Sequence, residues 1–381
     1  MHDCHRAIGG WLKAAGATVT IDAAGNLRGF YAPESKGPRI LMGSHLDTVP
    51  DAGAFDGVLG VILPVALLEA LRGRRLPFGI EVVGFSEEEG VRFGTPFLGS
   101  RALVGTLDTK LLNLRDSNGI SVRTAIRNFG LNPAKISSAR LSKEALAYLE
   151  FHIEQGPVLE SLGQPLGVPD AIVGQTRMEF RFLGHANHAG TTPMKLRHDA
   201  LAGAAEWMVA VERAGHSEPD LVATVGRVEA RPGASNVIAG EARVALDLRH
   251  KCDDVRFRAT EMLVRQAQEI ARRRELSLER KELLNQPAVA MDAFLVDQVE
   301  MAIRKTGCLP HRMASGAGHD AMVLAGSIPA AIIFLRTPGG ISHDPAESVK
   351  VEDVASAVEC GLHLLDQLAS CSEFQERIRR A

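Results

Sequence analysis

An apolar run in this 381-residue chain is followed closely by a histidine and two acids. The run, Ile40–Met42, is typical of a buried strand, and the polar residues after it are His45, Asp47 and Asp56. Open α/β sheets bind ligands at the carboxyl ends of their strands. His45 could hold a metal ion there, and Asp47, two residues along an extended segment, would point the same way and orient the imidazole. Asp56, beside a glycine-rich helix start, could bridge two ions or cap that helix.

The same pattern recurs three times further along the chain. A second apolar run, Ile80–Phe85, is followed by Ser86 and then by three glutamates, of which Glu88 and Glu89 are the last two. These two would divide the work, one as a metal ligand and the other as a general base on the attacking water. A third apolar run contains His152, and a fourth leads through a glycine-flanked loop to His343. Imidazole and carboxylate groups in this number suit a hydrolase with two divalent ions, zinc or manganese, about 3.5–4 Å apart.

Ordinary structural roles compete with each of these interpretations. His45 could stabilise a strand end, and a run of three glutamates is more often a solvated loop. A single histidine in an apolar segment, such as His152, is more often a core residue with satisfied hydrogen bonds. The position of the glutamates directly after a buried-looking strand favours chemistry instead. His319, beside Asp320 on another glycine-flanked loop, is predicted to lie on the substrate side rather than on the metal.

The composition argues against several other classes of protein. The net charge is −3, so no global basic field would attract nucleic acid or an anionic membrane surface. No stretch approaches the roughly 18 apolar residues of a membrane span, and the N-terminus lacks the pattern of a signal peptide. The five cysteines are Cys4, Cys252, Cys308, Cys360 and Cys371. Their scattered spacing fits neither a metal site nor a redox pair, so we expect a protein of the reducing cytoplasm.

Strands and helices alternate in the first part of the chain. The runs at Ile40–Met42 and Ile80–Phe85 flank an apolar helical segment at Gly57–Leu71. This βαβ order predicts a mainly parallel sheet covered by helices. The region between residues 101 and 150 is expected to be helical and polar, and the polar tail Ser370–Ala381 is expected to fray.

A different pattern begins near residue 172. The stretch TRMEFRFLG alternates apolar and polar residues, as a half-exposed antiparallel strand does, and the segments after it complete the order βαββαβ. This order predicts a small α+β domain inserted into the first one. We therefore predict an α/β chain with a discontinuous metal-binding catalytic domain at residues 1–171 and 285–381. The inserted domain is predicted at residues 172–284.

Seven motifs, in order between about residues 40 and 350, resemble those of one enzyme family. They are GSHLDTVPDAGAFDGVLG, FSEEEGVRFG, FHIEQGPVLE, GHANHAGTTPMKLRHDA, ASNVIAGEARVALDLRH, SGAGHDAM and GGISHDPAE. The family comprises dinuclear-metal amidohydrolases that act on ureido groups: allantoate amidohydrolase, N-carbamoyl-L-amino-acid hydrolase and β-ureidopropionase. It belongs to the clan of zinc aminoacylases and carboxypeptidases. An N-terminal helical segment that is usual in the family is not expected in this chain.

The resemblance implies a role for each residue at the strand ends. The metal ligands would be His45, Asp56, Glu89, His152 and His343, with two divalent ions per subunit. Asp56 would bridge the ions, Glu88 would be the general base, and Asp47 would be the acid that orients the histidine ligand. All six positions for ligands and base are filled, which argues against a catalytically inactive relative that keeps only the fold.

The resemblance also implies roles for the inserted domain. It would form a homodimer and supply His188, from the HAGTTP motif, to stabilise the oxyanion, in the site of the partner subunit. Asn236 and Arg249 would hold a carboxylate of the substrate, a task suited to the planar, bidentate guanidinium group. Gln155 would make a further substrate contact.

The leading hypothesis is metal-dependent hydrolysis of the ureido C–N bond in a small, carboxylate-bearing substrate. Allantoate is the first choice, with release of ammonia and carbon dioxide. N-carbamoyl-L-amino acids, or the substrate of β-ureidopropionase, are the nearest alternatives, and dipeptides or acylated amino acids are more distant ones. No nucleic-acid or membrane partner is expected.

Overall fold

The computed structural model describes residues 1–380 and divides into two compact units. Unit 1 comprises Met1–Asp170 together with the chain from Ala290 onward, and unit 2 comprises Ala171–Val289. Within residues 1–380, no helix combines the length and the apolar character needed to cross a bilayer.

Helices and strands of the described residues are numbered in chain order. The helices are α1 (His2–Ala14), α2 (Val58–Ala70), α3 (Leu98–Val104), α4 (Thr109–Leu112), α5 (Val122–Asn128), α6 (Val158–Ser161), α7 (Ala200–Ser217), α8 (Asp253–Arg273), α9 (Ala293–Lys305), α10 (Asp320–Leu324), α11 (Val351–Ser370) and α12 (Ser372–Arg380). The strands are β1 (Thr18–Ile21), β2 (Leu27–Tyr31), β3 (Arg39–His45), β4 (Gly79–Phe85), β5 (Ala145–Ile153), β6 (Leu166–Ile172), β7 (Gly174–Leu183), β8 (Asn187–His188), β9 (Val222–Arg231), β10 (Val237–Ile238), β11 (Glu241–His250), β12 (Ser277–Gln286), β13 (Val289–Ala290), β14 (Arg312–Ser315) and β15 (Ala330–Leu335). Short 3-10 segments lie at Pro133–Ala139, Met194–Leu196 and Pro338–Gly340.

The main sheet is mixed, with a parallel centre. Its strand order is β1-β2-β4-β3-β5-β15-β6-β13, and β14 pairs with β6. The four central strands, β4, β3, β5 and β15, are parallel to one another, whereas β1, β2 and β6 pair antiparallel with their neighbours. The predicted α/β class with a mainly parallel central sheet is therefore confirmed. Since the central strands are parallel, their carboxyl ends meet at one edge of the sheet.

Apolar residues on both faces explain why these four strands lie in the centre. All seven residues of β4 and all six of β15 are buried, as is typical of parallel strands covered by helices on both faces. Helix α2 is apolar around most of its circumference and packs against β3 and β5. The helix starts at Val58, two residues after Asp56, which places that carboxylate at the same edge as the strand ends.

Unit 2 contains a four-stranded antiparallel sheet with the order β12-β7-β11-β9. Strand β11 alternates buried and partly exposed residues, and its apolar side chains join those of helices α7 and α8 in a core around Trp207. Strand β9 is at the edge of the sheet and exposes Val222 and Val228. The antiparallel pair β8–β10 extends from the end of the β7–β11 ladder at which Leu183 pairs with Glu241.

Two expectations for the local structure are wrong. The region from 101 to 150 is only partly helical, because β5 already begins at Ala145. The polar tail does not fray within the described residues: it forms α12, and Phe374 is fully buried against the rings of Phe78 and Phe294. Burial of one large aromatic side chain is worth enough free energy to fix a short terminal helix.

Candidate metal centre

Six polar side chains meet at the carboxyl edge of the parallel strands. His45 is the last residue of β3, and Glu88 and Glu89 follow the end of β4. His152 is the last residue but one of β5, and His343 lies on the loop after β15. Asp56 precedes helix α2 and completes the cluster. The structure thus brings together the five ligand residues expected from the sequence and the expected base.

Asp56 is at the centre of this cluster and is buried. Its Oδ1 atom lies 3.2 Å from Nε2 of His152 and 3.5 Å from Nε2 of His45. Its Oδ2 atom lies 3.1 Å from Nε2 of His343. The two carboxylate oxygens therefore face two different groups of potential ligands, which is the geometry expected of a carboxylate that bridges two cations.

Three overlapping groups have ligand atoms within 4.8 Å of one another. They are His45–Asp56–His152, His45–Glu88–Glu89 and Asp56–Glu89–His343. Asp56 belongs to the first and the third group, and these two groups together contain all five of the residues expected as ligands.

Backbone carbonyl groups fix the orientation of two of the imidazole rings. Nδ1 of His45 lies 2.8 Å from the carbonyl oxygen of Asp47, and Nδ1 of His152 lies 2.9 Å from that of Ile153. A carbonyl oxygen only accepts, so each Nδ1 must bear a proton. In the neutral rings, the Nε2 lone pairs then face one another 3.5 Å apart, beside the Asp56 carboxylate. A divalent cation satisfies such an arrangement of lone pairs and negative charge.

The charges of the cluster shift the pKa values of its members strongly. Burial opposes ionisation of His45, but the carboxylates of Asp56 and Glu88 outweigh it and hold the pKa of this imidazole well above its usual value. Burial also disfavours the charged form of Asp56, but His152 and His45 donate hydrogen bonds to it when their Nε2 atoms are protonated as well, and this holds the pKa of Asp56 far below its usual range. Oε1 of Glu89 is buried without a hydrogen-bond partner among residues 1–380. The donor set and this unsatisfied oxygen fit a divalent metal ion.

Glu88 lies beside the cluster and is itself buried. Its Oε2 atom is 3.9 Å from Nε2 of His45. Burial, together with the nearby carboxylates of Asp320 and Glu89, raises the pKa of Glu88 well above its usual value. A carboxylate with a raised pKa can accept a proton near neutral pH and return it, which is the task of a general base that later acts as an acid.

Asp47 contacts the cluster differently from the sequence-based expectation. Its backbone carbonyl, rather than its carboxylate, contacts the His45 ring. The carboxylate accepts the backbone N–H groups of Glu88 and Glu89 at 3.0 and 3.1 Å. The reason is local: β3 ends at His45 and the chain bends after it, so His45 and Asp47 no longer share the alternation of an extended segment.

Gln155 and His319, both predicted as substrate contacts, bond within the protein in this structure. The Gln155 amide donates to Oδ2 of Asp56 at 3.0 Å and to the Ser342 hydroxyl at 3.2 Å. His319 is 1% exposed, and its ring lies 4.4 Å from the ring of His152. Its Nε2 pairs with the Ser315 hydroxyl at 2.8 Å. Burial and the proximity of His152 lower the pKa of His319 well below its usual value. His319 is therefore a neutral imidazole that packs against the ring of His152.

The other three predicted site residues belong to unit 2. His188 is exposed on β8, and its Nδ1 accepts the backbone N–H groups of Gly190 and Thr191 at 3.0 and 3.2 Å. The proton of the neutral ring is therefore on Nε2, which makes His188 a hydrogen-bond donor toward a ligand. Arg249 is held by Asp247 through two hydrogen bonds of 2.7 and 3.0 Å.

Asn236 and Arg249 lie toward opposite ends of β11. Asn236 precedes β10 and accepts the N–H of Ala189 through its backbone carbonyl, beyond the Glu241 end of β11. Arg249 is the ninth residue of β11 and pairs with Gln175 at the other end. The strand from Glu241 to Arg249 spans about 26 Å at 3.3 Å per residue. Within one chain, the two residues expected to hold the substrate carboxylate are thus not neighbours along the sheet.

Sequence reasoning missed Glu347. Its carboxylate accepts the N–H groups of Phe55 and Asp56, both at 3.0 Å, and the hydroxyl of Ser342 at 3.0 Å. The only sequence signal was its place in the GGISHDPAE motif, four residues after His343.

Comparison with known proteins identifies the family of this chain. Residues 41–367 match the model of the peptidase family M20/M25/M40. The chain belongs to the M20 peptidase family. This M20 chain is 38% identical to the N-carbamoyl-L-amino acid amidohydrolase of Geobacillus stearothermophilus, over 95% of this chain and 90% of the relative. It is also 38% identical to the allantoate deiminase of Arabidopsis thaliana, over 95% of this chain and 75% of the relative.

A solved structure gives the same result for the fold. The crystal structure of an amidase of the hydantoinase/carbamoylase family from Burkholderia multivorans has a TM-score of 0.89 and 32% identity, and covers 94% of this chain and 88% of that chain. The M20 chain is therefore a hydrolase that acts on amide or ureido C–N bonds, as the sequence predicted. Its relatives include both allantoate deiminases and N-carbamoyl-L-amino-acid amidohydrolases, so both substrate classes occur among them.

Proposed function

We propose that this M20 chain hydrolyses the ureido C–N bond of a small, carboxylate-bearing substrate, with allantoate as the first candidate. The observation that supports this proposal most directly is the cluster centred on Asp56, whose two oxygens face separate ligand groups, with Glu88 beside it. A chain with these side chains in place has the groups needed for hydrolysis rather than for binding alone.

Two divalent ions, zinc or manganese, would be held by the two groups that share Asp56. His45 and His152 would complete one position, and Glu89 and His343 the other. When bound, the ions supply Lewis-acid activation of the substrate carbonyl and of the attacking water. The mixed set of imidazole and carboxylate donors suits these metals.

Glu88 would move the protons of the reaction. As a carboxylate, it takes a proton from the attacking water, and its raised pKa allows it to hold that proton and deliver it to the leaving nitrogen. His188, with its proton on Nε2, would donate a hydrogen bond to the oxyanion that develops on the substrate carbonyl.

A homodimer formed through unit 2 would bring the substrate-binding residues together. Asn236 and Arg249 lie toward opposite ends of β11, so their joint action on one carboxylate is most simply explained if they come from two chains. The exposed edge strand β9, with Val222 and Val228 on its surface, is a suitable surface for such pairing. We propose that His188 likewise serves the site of the partner subunit.

Hydrolysis of N-carbamoyl-L-amino acids is the second candidate function. The identity to a carbamoyl-amino-acid amidohydrolase equals the identity to an allantoate deiminase, at 38% each. Both substrates combine a ureido group with a carboxylate, so the same side chains could act on either.

A parallel assay of the two substrate classes tests the proposal. Purified, manganese-reconstituted protein is incubated with allantoate and with a panel of N-carbamoyl-L-amino acids, and ammonia and free amino acids are measured. Ammonia from allantoate alone would support the first candidate, and amino acids from the panel alone would support the second. A protein that binds metal but releases neither product would contradict the proposal and direct attention to dipeptides. The Glu88→Gln variant serves as the control for contaminating activity.

A further inference from the structure

The carboxylate of Glu347 joins the two loops that contain Asp56 and His343. One oxygen, Oε1, accepts the backbone N–H groups of Phe55 and Asp56, both at 3.0 Å. The other oxygen, Oε2, accepts the hydroxyl of Ser342, which directly precedes His343, at 3.0 Å. The residue is only 5% exposed, so these hydrogen bonds are formed away from competing water and hold the two loops together.

The loop of Asp56 leaves space for this carboxylate. A Cβ atom at Gly53 would lie 2.3 Å from Cβ of Glu347 and 2.4 Å from its Oε1. Only a residue without a side chain fits at that position while Glu347 keeps its place. Gly53 is therefore required for Glu347 to contact the loop of Asp56.

A second route connects Glu347 to the carboxylate of Asp56. Ser342, the partner of Oε2, accepts a hydrogen bond from the Gln155 amide at 3.2 Å. The same amide donates to Oδ2 of Asp56 at 3.0 Å. This Oδ2 is the oxygen that faces His343, at 3.1 Å. Glu347 therefore fixes the backbone of Asp56 directly, and it fixes Oδ2 of Asp56 through Ser342 and Gln155.

We propose that Glu347 is a positioning residue that sets the metal affinity of the group Asp56–Glu89–His343. This inference rests on the proposed function, because it requires that the cluster binds two ions. Glu89 and His343 both lie on loops, and His343 has a left-handed backbone conformation with φ of 57°. In the group His45–Asp56–His152, by contrast, both histidines belong to buried strands. Loss of Glu347 should therefore weaken the loop-based position much more than the strand-based one.

Metal titration of the purified full chain tests this inference. Wild type, Glu347→Ala and Glu347→Gln are titrated with Mn²⁺ by calorimetry, and bound metal is counted by elemental analysis. We expect two ions in wild type. In Glu347→Ala we expect one ion to stay close to wild-type affinity, because two strand-based histidines still hold it, and the second to bind about 10- to 100-fold more weakly, the range found when partners of metal ligands are removed. Unfolding temperatures in excess chelator separate a loss of metal affinity from a loss of fold.

The glutamine variant distinguishes positioning from charge. Its amide oxygen can accept the N–H groups of Phe55 and Asp56, and its NH₂ group can donate to the Ser342 hydroxyl, which then donates to Asp56. We expect Glu347→Gln to bind both ions within about threefold of wild-type affinity, because both N–H groups keep an acceptor and no buried polar group is left unpaired. Glu160→Ala is the matched control: its carboxylate accepts the N–H of Gly339 at 2.7 Å, near the same loop, and both ions should bind as in wild type.

Ser342→Ala keeps the inference testable if Glu347→Ala does not fold. It removes one link and leaves the hydrogen bonds to Phe55 and Asp56, so the second ion should weaken by a smaller factor. Unchanged binding of both ions in Glu347→Ala would overturn the inference, as would equal weakening of both positions. A glutamine variant as weak as the alanine variant would also overturn it. If wild type itself binds no metal, the proposed function fails as well, which the wild-type titration reveals separately.

Discussion

The side chain of Asp47 holds the backbone of Glu88. Its Oδ1 accepts the N–H of Glu88 at 3.0 Å, and its Oδ2 accepts the N–H of Glu89 at 3.1 Å. The backbone carbonyl of the same residue contacts Nδ1 of His45 at 2.8 Å. Asp47 alone thus fixes the loop after β4 that contains the proposed base Glu88, and it also orients the proposed ligand His45.

Asp47→Asn should weaken both turnover and metal binding. The asparagine side chain has a single acceptor oxygen, so one of the two N–H groups loses its partner and meets an NH₂ group instead. We expect a 10- to 100-fold loss of kcat or metal affinity, the range for partners of metal ligands. Steady-state kinetics and manganese titration measure the two effects. Asp51→Asn, an exposed acid on the same loop, should leave both unchanged. Wild-type values in Asp47→Asn would show that the two N–H groups need no carboxylate.

Glu88→Gln should bind metal and lose turnover. The amide cannot take a proton from water, and general base catalysis contributes about 10²–10⁴ in rate. Bound metal per chain and kcat are the two measurements, and Glu87→Gln, one residue earlier in the sequence, is the control that should keep its activity. A Glu88→Gln variant with more than about a tenth of wild-type kcat would remove Glu88 as the base.

The central strands were predictable from the sequence, whereas the periphery was not. Each central strand contains an apolar run that is followed by polar residues, and β4 is buried at every position. The local sequence pattern is therefore enough to predict these strands. Strand β1 is short and largely exposed, and it is a strand only because β2 pairs with it. The burial of Phe374 depends on Phe78 and Phe294, which are distant in sequence, so a polar tail gave no local signal for α12.

For the candidate site, residue types were predictable but their contacts were not. His45, Asp56 and the glutamates after β4 stand out because ligand-type residues end buried strands. The contact of Glu347 with Asp56 joins residues 291 positions apart, and only the tertiary fold brings them together. Likewise, the bend after His45 redirects the Asp47 carboxylate to the loop after β4, which no periodicity rule anticipates.

His188→Ala should be inactive alone but recover activity when mixed with Glu88→Gln. If His188 serves the partner's site, a mixed dimer contains one site with both groups intact. Random reassociation makes half of the dimers mixed, so activity should return to about a quarter of the wild-type value in a twofold-symmetric dimer. Activity after unfolding and joint refolding is compared with the same variants refolded separately. No recovery, with dimers shown to exchange, would mean that His188 acts in its own subunit.

His5 should make the fold less stable in mild acid. It is 5% exposed, and neither ring nitrogen has a hydrogen-bond partner among residues 1–380. Burial, with the positive charge of the N-terminal amino group, lowers the pKa of His5 to about 4 from 6.5. Below pH 6.5, His5 therefore binds a proton in the unfolded state but not in the folded state, and the free energy of unfolding falls as the pH drops toward 4. Between pH 7 and pH 5 the loss should be about 2 kcal/mol.

Comparison with His5→Phe isolates this effect from the other titrating groups. Chemical unfolding of both proteins is measured at pH 7 and pH 5 in excess chelator. The variant should lose about 2 kcal/mol less than wild type between the two pH values, because it has no proton to bind at this position. Parallel losses in the two proteins would show that His5 titrates normally in the folded state.

Phe374→Ala should destabilise unit 1 although it lies in a polar tail. The ring is fully buried, edge-on to Phe78 and stacked with Phe294 at centroid distances of 5.8 and 6.4 Å. Truncation of a buried phenylalanine costs about 3–5 kcal/mol, although a terminal helix that can detach limits the loss toward the lower value. Chemical unfolding measures the change, and Glu373→Ala, an exposed neighbour that pairs with Arg377 at the surface, should change stability by less than about 0.5 kcal/mol. Equal stability of the two variants would mean that the tail frays, as its polar sequence alone suggests.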